Sequence, residues 1–199
     1  MSIFAAIGLL ITGFFFYLAF EWNVSLGNLG YLDKIHNAWF QSVTFRTAGF
    51  NSVQLAHVRP ATLLLTMVWM FIGGSPGGTA GGVKTTTATV LCLSVVHAIG
   101  GRLTLEAFGK RIPEQTKTKA AAVVAIAMFT AMMATIAILL TQHMPARLAI
   151  FEVISALGTV GLSIGGTSKL DGIGKIIITM TAIKATANKM VGLNSAFIL

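Results

Sequence analysis

Two short loops in this chain carry residue types that can bind a dehydrated monovalent cation. The first reads Thr47-Ala48-Gly49-Phe50, and the second, 112 residues later, reads Thr159-Val160-Gly161-Leu162. Such a loop can direct successive backbone carbonyl oxygens at a central axis, where they replace the water shell of an ion. Glycine at the third position adopts positive φ at low cost, and threonine adds a hydroxyl oxygen. Either loop alone fits an ordinary turn, but their repetition at equivalent places predicts two ion-filter loops.

A glycine-rich segment lies between two apolar stretches, residues 61–73 and 88–99. Its glycines, proline and threonines cannot form a continuous helix, since proline alone costs about 3 kcal/mol in a helix interior. A broken helix at membrane depth is typical of transport pathways. The alternative is a simple exposed turn between two short helices. The predicted gate residues are Gly73, Gly74, Ser75, Pro76, Gly77, Gly78, Thr79, Ala80, Gly81, Gly82 and Lys84.

Three charged residues accompany these segments. Lys84 is costly at the centre of a bilayer, so it either faces the ion pathway and repels cations when the gate is closed, or extends toward the cytoplasmic surface. Arg46, beside the first loop, is expected to brace that loop through carbonyls or an acidic neighbour. Glu152 is one candidate partner and a second supporting residue.

The sequence contains no arrangement typical of an enzyme. Nucleophile–base constellations and paired catalytic carboxylates are absent, the histidines lack metal-ligand spacing, and the glycine-rich segment lacks the Gly-Lys-Ser/Thr ending of a phosphate-binding loop. We therefore expect neither catalysis nor a bound cofactor.

The elements that must position the loops are predicted to lie in a membrane. The chain is 55% hydrophobic and only 10% charged, whereas soluble domains carry roughly 25% charged residues. Residues 3–20 and 120–140 form long uncharged runs, and another apolar stretch begins near residue 172. Basic residues concentrate in residues 100–119, which indicates a cytoplasmic connection and argues against nucleic-acid binding. The predicted fold class is an all-α integral membrane protein.

The order of these elements repeats. Each half has a hydrophobic span, a short semi-polar helix, a small-residue loop and a further span; Trp39 aligns with Phe151. The short helices are predicted at residues 35–43 and 148–156, each re-entering the membrane. This pattern divides the chain into two membrane–pore–membrane repeats, residues 1–99 and 120–199, joined by the basic connection of residues 100–119.

Three ordered segments resemble one family. Residues 41–50 (QSVTFRTAGF) are similar to the third pore loop of the Trk/Ktr/HKT superfamily of potassium transporters. Residues 71–87 (FIGGSPGGTAGGVKTTT) resemble its intramembrane gate segment, and residues 151–163 (FEVISALGTVGLS) its fourth pore loop. The bacterial Trk and Ktr membrane subunits are more similar than the plant members. The chain departs from the family pattern after Ile178, where the usual Gly-Arg and Gly-Pro are missing.

The resemblance implies a bacterial inner-membrane subunit that transports potassium, with sodium permeant or coupled. That family arranges four membrane–pore–membrane units about one pore, of which this chain resembles the third and fourth. It further implies a dimer of pores and a cytoplasmic nucleotide-binding regulatory subunit near the basic connection. An N-terminal half would complete the pore. Two alternatives stay open: a two-repeat channel completed by a second copy, and a non-conducting remnant or membrane assembly protein.

Overall fold

A computed structural model describes residues 2–74, 81–100, 106–107 and 110–190 of the chain. The described part is helical apart from one antiparallel pair of two-residue strands, β1 (Glu106–Ala107) and β2 (Lys110–Arg111), within the basic connection. Short 3-10 turns occur at Leu55–His57 and Thr167–Lys169. The helices are α1 (Ser2–Glu21), α2 (Tyr31–Thr44), α3 (Pro60–Phe71), α4 (Thr85–Ile99), α5 (Glu114–Thr141), α6 (Ala146–Leu157) and α7 (Gly172–Met190).

The predicted all-α class and the order of elements are confirmed. The short helices α2 and α6 fall where residues 35–43 and 148–156 were expected. The glycine-rich segment interrupts the chain between α3 and α4, as the broken-helix prediction requires. Several helix starts differ from the predicted bounds. Helix α4 begins at Thr85, not at residue 88, because the three consecutive threonines form its first turn. Helix α2 begins at Tyr31, not at residue 35, and α5 begins at Glu114, not at residue 120, so the end of the predicted connection is helical. Residues 75–80 of the predicted gate lie outside the described residues.

Two of the described helices, α1 and α5, are long and apolar enough to cross a membrane. The 20 residues of α1 correspond to about 30 Å at 1.5 Å per residue, which is the thickness of a bilayer core. Both helices leave large apolar side chains on their outer surfaces; examples are Phe4, Phe15, Met128, Phe129 and Leu140. Such surfaces suit contact with lipid, where apolar exposure carries no penalty.

The two repeats share one core. Helix α2 packs on α1, α6 packs on α5 and α7, and α3 connects the repeats by packing against α6. The main apolar cluster accordingly combines both halves; its central members include Tyr17, Phe45, Met70, Phe151 and Leu162. Phe151 is fully buried where α6 meets α3, whereas its counterpart Trp39 is 48% exposed on α2. The core therefore includes the second predicted filter loop, through Val160 and Leu162, and reaches Phe45 just before the first.

In each repeat, hydrogen bonds join the end of the first span to the start of the span that follows the short helix. In the first, the buried carboxylate of Glu21 at the end of α1 accepts hydrogen bonds from the Arg59 backbone N–H (2.9 Å) and the Thr62 hydroxyl at the start of α3. In the second, Gln142 at the end of α5 donates to the Asp171 carboxylate (2.6 Å) before α7. These hydrogen bonds hold together the two spans that flank the short helix and its loop.

Asp171 also caps α7. Its carboxylate accepts the Gly174 backbone N–H at 2.9 Å, and this hydrogen bond, together with the one from Gln142, holds the pKa of Asp171 below its ordinary value. Because a negative charge near a helix N-terminus is also favoured by the helix dipole, the ionised carboxylate stabilises the first turn of α7.

Candidate functional site

The two predicted filter loops have the same backbone conformation. In the first, φ is +70° at Thr47 and +75° at Gly49; in the second it is +52° at Thr159 and +85° at Gly161. The residue between each pair has negative φ. The offset of 112 residues found in the sequence therefore relates two segments that turn in the same way.

The loops contact each other at their glycines. A Cβ added to Gly49 would lie 2.5 Å from the carbonyl oxygen of Val160, and one added to Gly161 would lie 3.7 Å from the Cα of Gly49. Gly49 is thus required by both its positive φ and its close approach to the opposite backbone. The two loops lie side by side, as segments around one axis would.

The carbonyl groups of the loops fall into two sets. The fourth carbonyl of each loop is bonded to its own short helix: the Thr44 hydroxyl donates to the Phe50 oxygen and the Ser155 hydroxyl to the Leu162 oxygen, both at 2.7 Å. In the described part of the chain, no hydrogen bond reaches the carbonyl oxygens of the first three residues of either loop. These six oxygens have no protein partner among the described residues and are therefore available to a cation.

The short helices add electrostatic support for a cation. Helix α2 ends at Thr44 and α6 at Leu157, so each loop follows directly from a helix C-terminus. The C-terminal end of a helix carries roughly −0.5 of an elementary charge. Two such ends beside the loops favour a positive ion over an anion.

In each repeat, the chain that follows the filter loop is hydrogen-bonded to the short helix, between residues 11 positions apart in the sequence. In the second repeat, Glu152 is 4% exposed and accepts hydrogen bonds from the Ser163 hydroxyl, the Gly166 N–H and the Thr167 hydroxyl. In the first, the side-chain amide of Gln41 donates to the Ser52 hydroxyl at 3.2 Å. The second loop is therefore held by a charged acceptor, whose hydrogen bonds are stronger than those of the neutral pair.

Arg46 and Glu152 are not brought together. One guanidinium nitrogen of Arg46 donates to the carbonyl oxygen of Ala6 on α1 at 2.9 Å, while the Glu152 carboxylate is used within its own repeat. The ion pair considered from the sequence is therefore absent between these two described residues. Arg46 attaches the first loop to α1, and Glu152 holds the chain that follows the second loop.

The two ends of the predicted gate segment are joined in a short stem. Ile72 and Val83 form an isolated parallel bridge, in which the Gly73 N–H donates to the Val83 oxygen (2.8 Å) and the Val83 N–H to the Phe71 oxygen (3.0 Å). Gly74 accepts the Thr85 N–H at 3.3 Å. Residues 71–74 and 81–85, called the gate stem below, are thus fixed relative to each other.

The gate stem also contacts the second loop. Gly82 donates its N–H to the carbonyl oxygen of Leu157 at 3.1 Å, and Gly81 donates its N–H to the hydroxyl of Thr159 at 2.8 Å. A Cβ on Gly81 would meet the Thr159 side chain at 2.6 Å. Only glycine allows this approach.

Lys84 follows the stem at the start of α4. Its residue is 3% exposed, so the side chain is enclosed by protein. This burial does not favour the alternative in which the Lys84 ammonium lies in water at the cytoplasmic interface.

Several supporting residues were missed in the sequence: Gln41, Thr44, Ser155, Ser163 and Thr167. The sequence does contain a signal for these residues: polar side chains inside a short apolar helix, with serine or threonine after the following loop, indicate hydrogen bonds between the loop and the helix. The repeat does not show which residues form them. The hydroxyl donors, Thr44 and Ser155, are not at aligned positions, although they bond aligned carbonyls.

An open cavity of about 400 Å³ borders the second loop. Its lining combines loop residues, polar residues of α6 and the middle of α7; among them are Glu152, Thr159, Gly161, Thr167 and Thr179. The second loop therefore has an uncovered polar side in addition to its contact with the first loop.

Paired helix–loop repeats of this kind, flanked by membrane-length helices, define an integral membrane protein of the pore-loop class. The chain belongs to the TrkH family of cation transport proteins, whose model matches residues 3–184. It is 38% identical over 175 residues to the potassium/sodium uptake protein NtpJ of Enterococcus hirae, covering 85% of this chain and 39% of that protein. It is also 38% identical over 154 residues to the Ktr system potassium uptake protein B of Bacillus subtilis, covering 77% and 35%.

The fold of this chain is also similar to that of a solved structure. The potassium transporter TrkH of Vibrio parahaemolyticus superposes with a TM-score of 0.72 at 20% identity, over 98% of this chain and 43% of that chain. The chain thus spans well under half the length of the relatives it matches. The predicted family and the resemblance to bacterial Trk and Ktr subunits are confirmed, and the chain is a bacterial-type membrane protein.

Proposed function

We propose that this chain forms two of the pore-lining units of a potassium-uptake transporter. The observation that carries the proposal is the pair of loops with matching backbone, glycine-to-glycine contact and six carbonyl oxygens without protein partners among the described residues. Carbonyl oxygens in this arrangement select a monovalent cation by replacing its water. The names of the relatives, a potassium/sodium uptake protein and a potassium uptake protein, support potassium as the ion, with sodium as a second permeant or coupled ion. Movement of the ion requires no enzymatic step and no cofactor.

The pore requires more units than the chain contains. Two loops cover only part of the circumference of an ion, and α2 with its loop presents an uncovered apolar face that includes Trp39, Phe40, Val43 and Phe50. The equivalent face of α6 is covered by α3 of the preceding repeat. We therefore propose that α2 and the cavity beside the second loop contact further pore units. These come from an N-terminal half, as in the longer relatives, or from a second copy of this chain.

The remaining organisation follows the sequence prediction. Residues 1–99 and 120–199 act as the two membrane–pore–membrane repeats, and the basic residues 100–119 lie on the cytoplasmic side of a bacterial inner membrane. Family resemblance supports a dimer of pores and a cytoplasmic nucleotide-binding regulatory subunit near this basic connection. The gate stem, fixed beside the second loop, supports a role of the glycine-rich segment as an obstruction of the pathway.

Rubidium uptake in cells that lack their own potassium-uptake systems tests this function. The chain is expressed alone and together with the N-terminal half of a relative, and its abundance in the membrane is measured in both cases. Uptake only with the added half supports the pore-fragment proposal, and uptake by the chain alone supports assembly from two copies. No uptake at normal abundance contradicts both and favours a non-conducting membrane assembly protein.

Matched variants separate the filter from general damage. Gly161→Ala introduces a side chain at a loop glycine with positive φ, whereas Gly8→Ala introduces one on α1 where nothing lies within 4 Å of the new Cβ. We expect uptake to fall only in Gly161→Ala, at equal membrane abundance. Equal uptake in both variants would contradict the filter assignment.

A further inference from the structure

The two filter threonines differ in one hydrogen bond. Thr159 and Thr47 occupy equivalent positions and share positive φ. The Thr159 hydroxyl accepts the backbone N–H of Gly81 from the gate stem at 2.8 Å. Among the described residues, no hydrogen bond involves the Thr47 hydroxyl. The chemical equivalence of the two loops is therefore broken at the point where the gate stem meets them.

The geometry around this hydrogen bond shows that it is a built contact. The Gly82 N–H next to it donates to Leu157, the last residue of the short helix α6. Gly158, between Leu157 and Thr159, lies against the backbone of α3, since a Cβ added to it would be 2.5 Å from the Met70 oxygen. The end of α3, the stem and the start of the second loop thus form one close-packed unit made of backbone groups and glycine. The Thr159 hydroxyl is the side-chain acceptor that this unit offers to the stem.

We propose that Thr159 is a positioning residue for the gate stem: its hydroxyl fixes the stem to the second filter loop and thereby couples the position of the stem to that loop. Thr47 has no such role. The role of the stem in a gate rests on the proposed function. Its coupling to the second loop does not, because that coupling can be measured without ion flux.

Amide hydrogen exchange at single-residue resolution tests the coupling in the full chain reconstituted in lipid nanodiscs. Thr159→Val removes the acceptor while keeping the shape of the side chain, Thr159→Ser retains it, and Thr47→Val is the matched control in the first loop. Loss of one neutral hydrogen bond corresponds to a change of roughly 2- to 10-fold in an equilibrium. We expect the Gly81 amide to exchange about that much faster in Thr159→Val and to exchange at the wild-type rate in Thr159→Ser and Thr47→Val.

Two outcomes decide the proposal. Unchanged exchange of Gly81 in Thr159→Val, or equal acceleration in Thr47→Val, overturns it. If Thr159→Val does not give a monodisperse protein, Thr159→Ala, which has a smaller side chain and also lacks the hydroxyl, replaces it with the same expectation. Rubidium uptake with an N-terminal half is measured on the same variants as the separate test of the proposed function. Absence of uptake in every variant counts against the proposed function, whereas the Gly81 exchange rates alone decide the coupling.

Discussion

Replacing Gly49 with alanine tests the contact between the two loops most directly. Two costs add at this position. Positive φ costs a residue with a Cβ roughly 1–2 kcal/mol, and forcing a methyl group into a well-packed site costs roughly 1–3 kcal/mol. The second cost applies because the new Cβ would lie 2.5 Å from the Val160 oxygen, which belongs to backbone and cannot rotate away. We expect Gly49→Ala to lower the free energy of unfolding by roughly 2–5 kcal/mol.

Gly161→Ala is the matched comparison for that prediction. Its φ of +85° is as unfavourable for alanine, but its new Cβ would be 3.7 Å from the Gly49 Cα, an ordinary contact distance. Only the conformational cost of roughly 1–2 kcal/mol therefore applies. Gly8→Ala on α1 is the neutral reference, since alanine favours a helix interior by about 1 kcal/mol over glycine.

Unfolding in a titration with a denaturing detergent, followed by helical circular dichroism, measures all three variants in the same micelles. The expected order of stability is Gly8→Ala, then Gly161→Ala, then Gly49→Ala. If Gly49→Ala and Gly161→Ala were equally stable, the 2.5 Å approach would not exist in the folded protein, and the side-by-side arrangement of the loops would be refuted.

Three further perturbations have defined outcomes. Glu152→Gln replaces a buried acceptor of three hydrogen bonds by an amide, and should lower the free energy of unfolding by about 1–3 kcal/mol and reduce rubidium uptake, measured as above. The lowered pKa of Asp171, caused mainly by the Gly174 N–H, stabilises the folded chain at pH values above the ordinary carboxyl pKa. This stabilisation is lost as the pH falls through the lower folded-state pKa. The melting temperature should therefore fall in acid below about pH 4, and it should fall less in Asp171→Asn. A Cβ in Gly73→Ala would overlap the Gly81 oxygen, so amide exchange within the gate stem should accelerate, while unchanged exchange would contradict the stem geometry.

The repeat was the part of the fold that sequence patterns predicted best. Glycine, threonine and apolar spacing recur at a constant offset of 112 residues, and both loops have the conformation that a glycine at the third position allows. Helix α2 and helix α6 were also predicted, because a short semi-polar helix followed by a small-residue loop recurs in both halves between apolar spans. These features depend on local residue types, which a single sequence displays directly.

The partners of side chains were not predictable in the same way. Glu152 was considered with Arg46, yet it bonds Ser163 and Thr167 within its own repeat, and Arg46 reaches Ala6 on α1. Which of several nearby donors meets a buried carboxylate depends on the rotation of the helix that carries it. A one-residue difference in hydroxyl position between the repeats, as at Thr44 and Ser155, does not alter hydrophobic periodicity and so leaves no trace in it.

The backbone of the two filter threonines has a consequence for how the sequence can vary. A β-branched residue at positive φ is a genuine outlier, and both Thr47 and Thr159 adopt it. Conformational strain of order 1–3 kcal/mol per residue persists only where the surrounding structure enforces it. Glycine in place of Thr47 would relieve that strain at the loss of a hydroxyl that has no hydrogen bond among the described residues. In place of Thr159, the relief would be offset by loss of the acceptor of the Gly81 N–H. Variants selected for thermal stability alone should therefore lose Thr47 before Thr159.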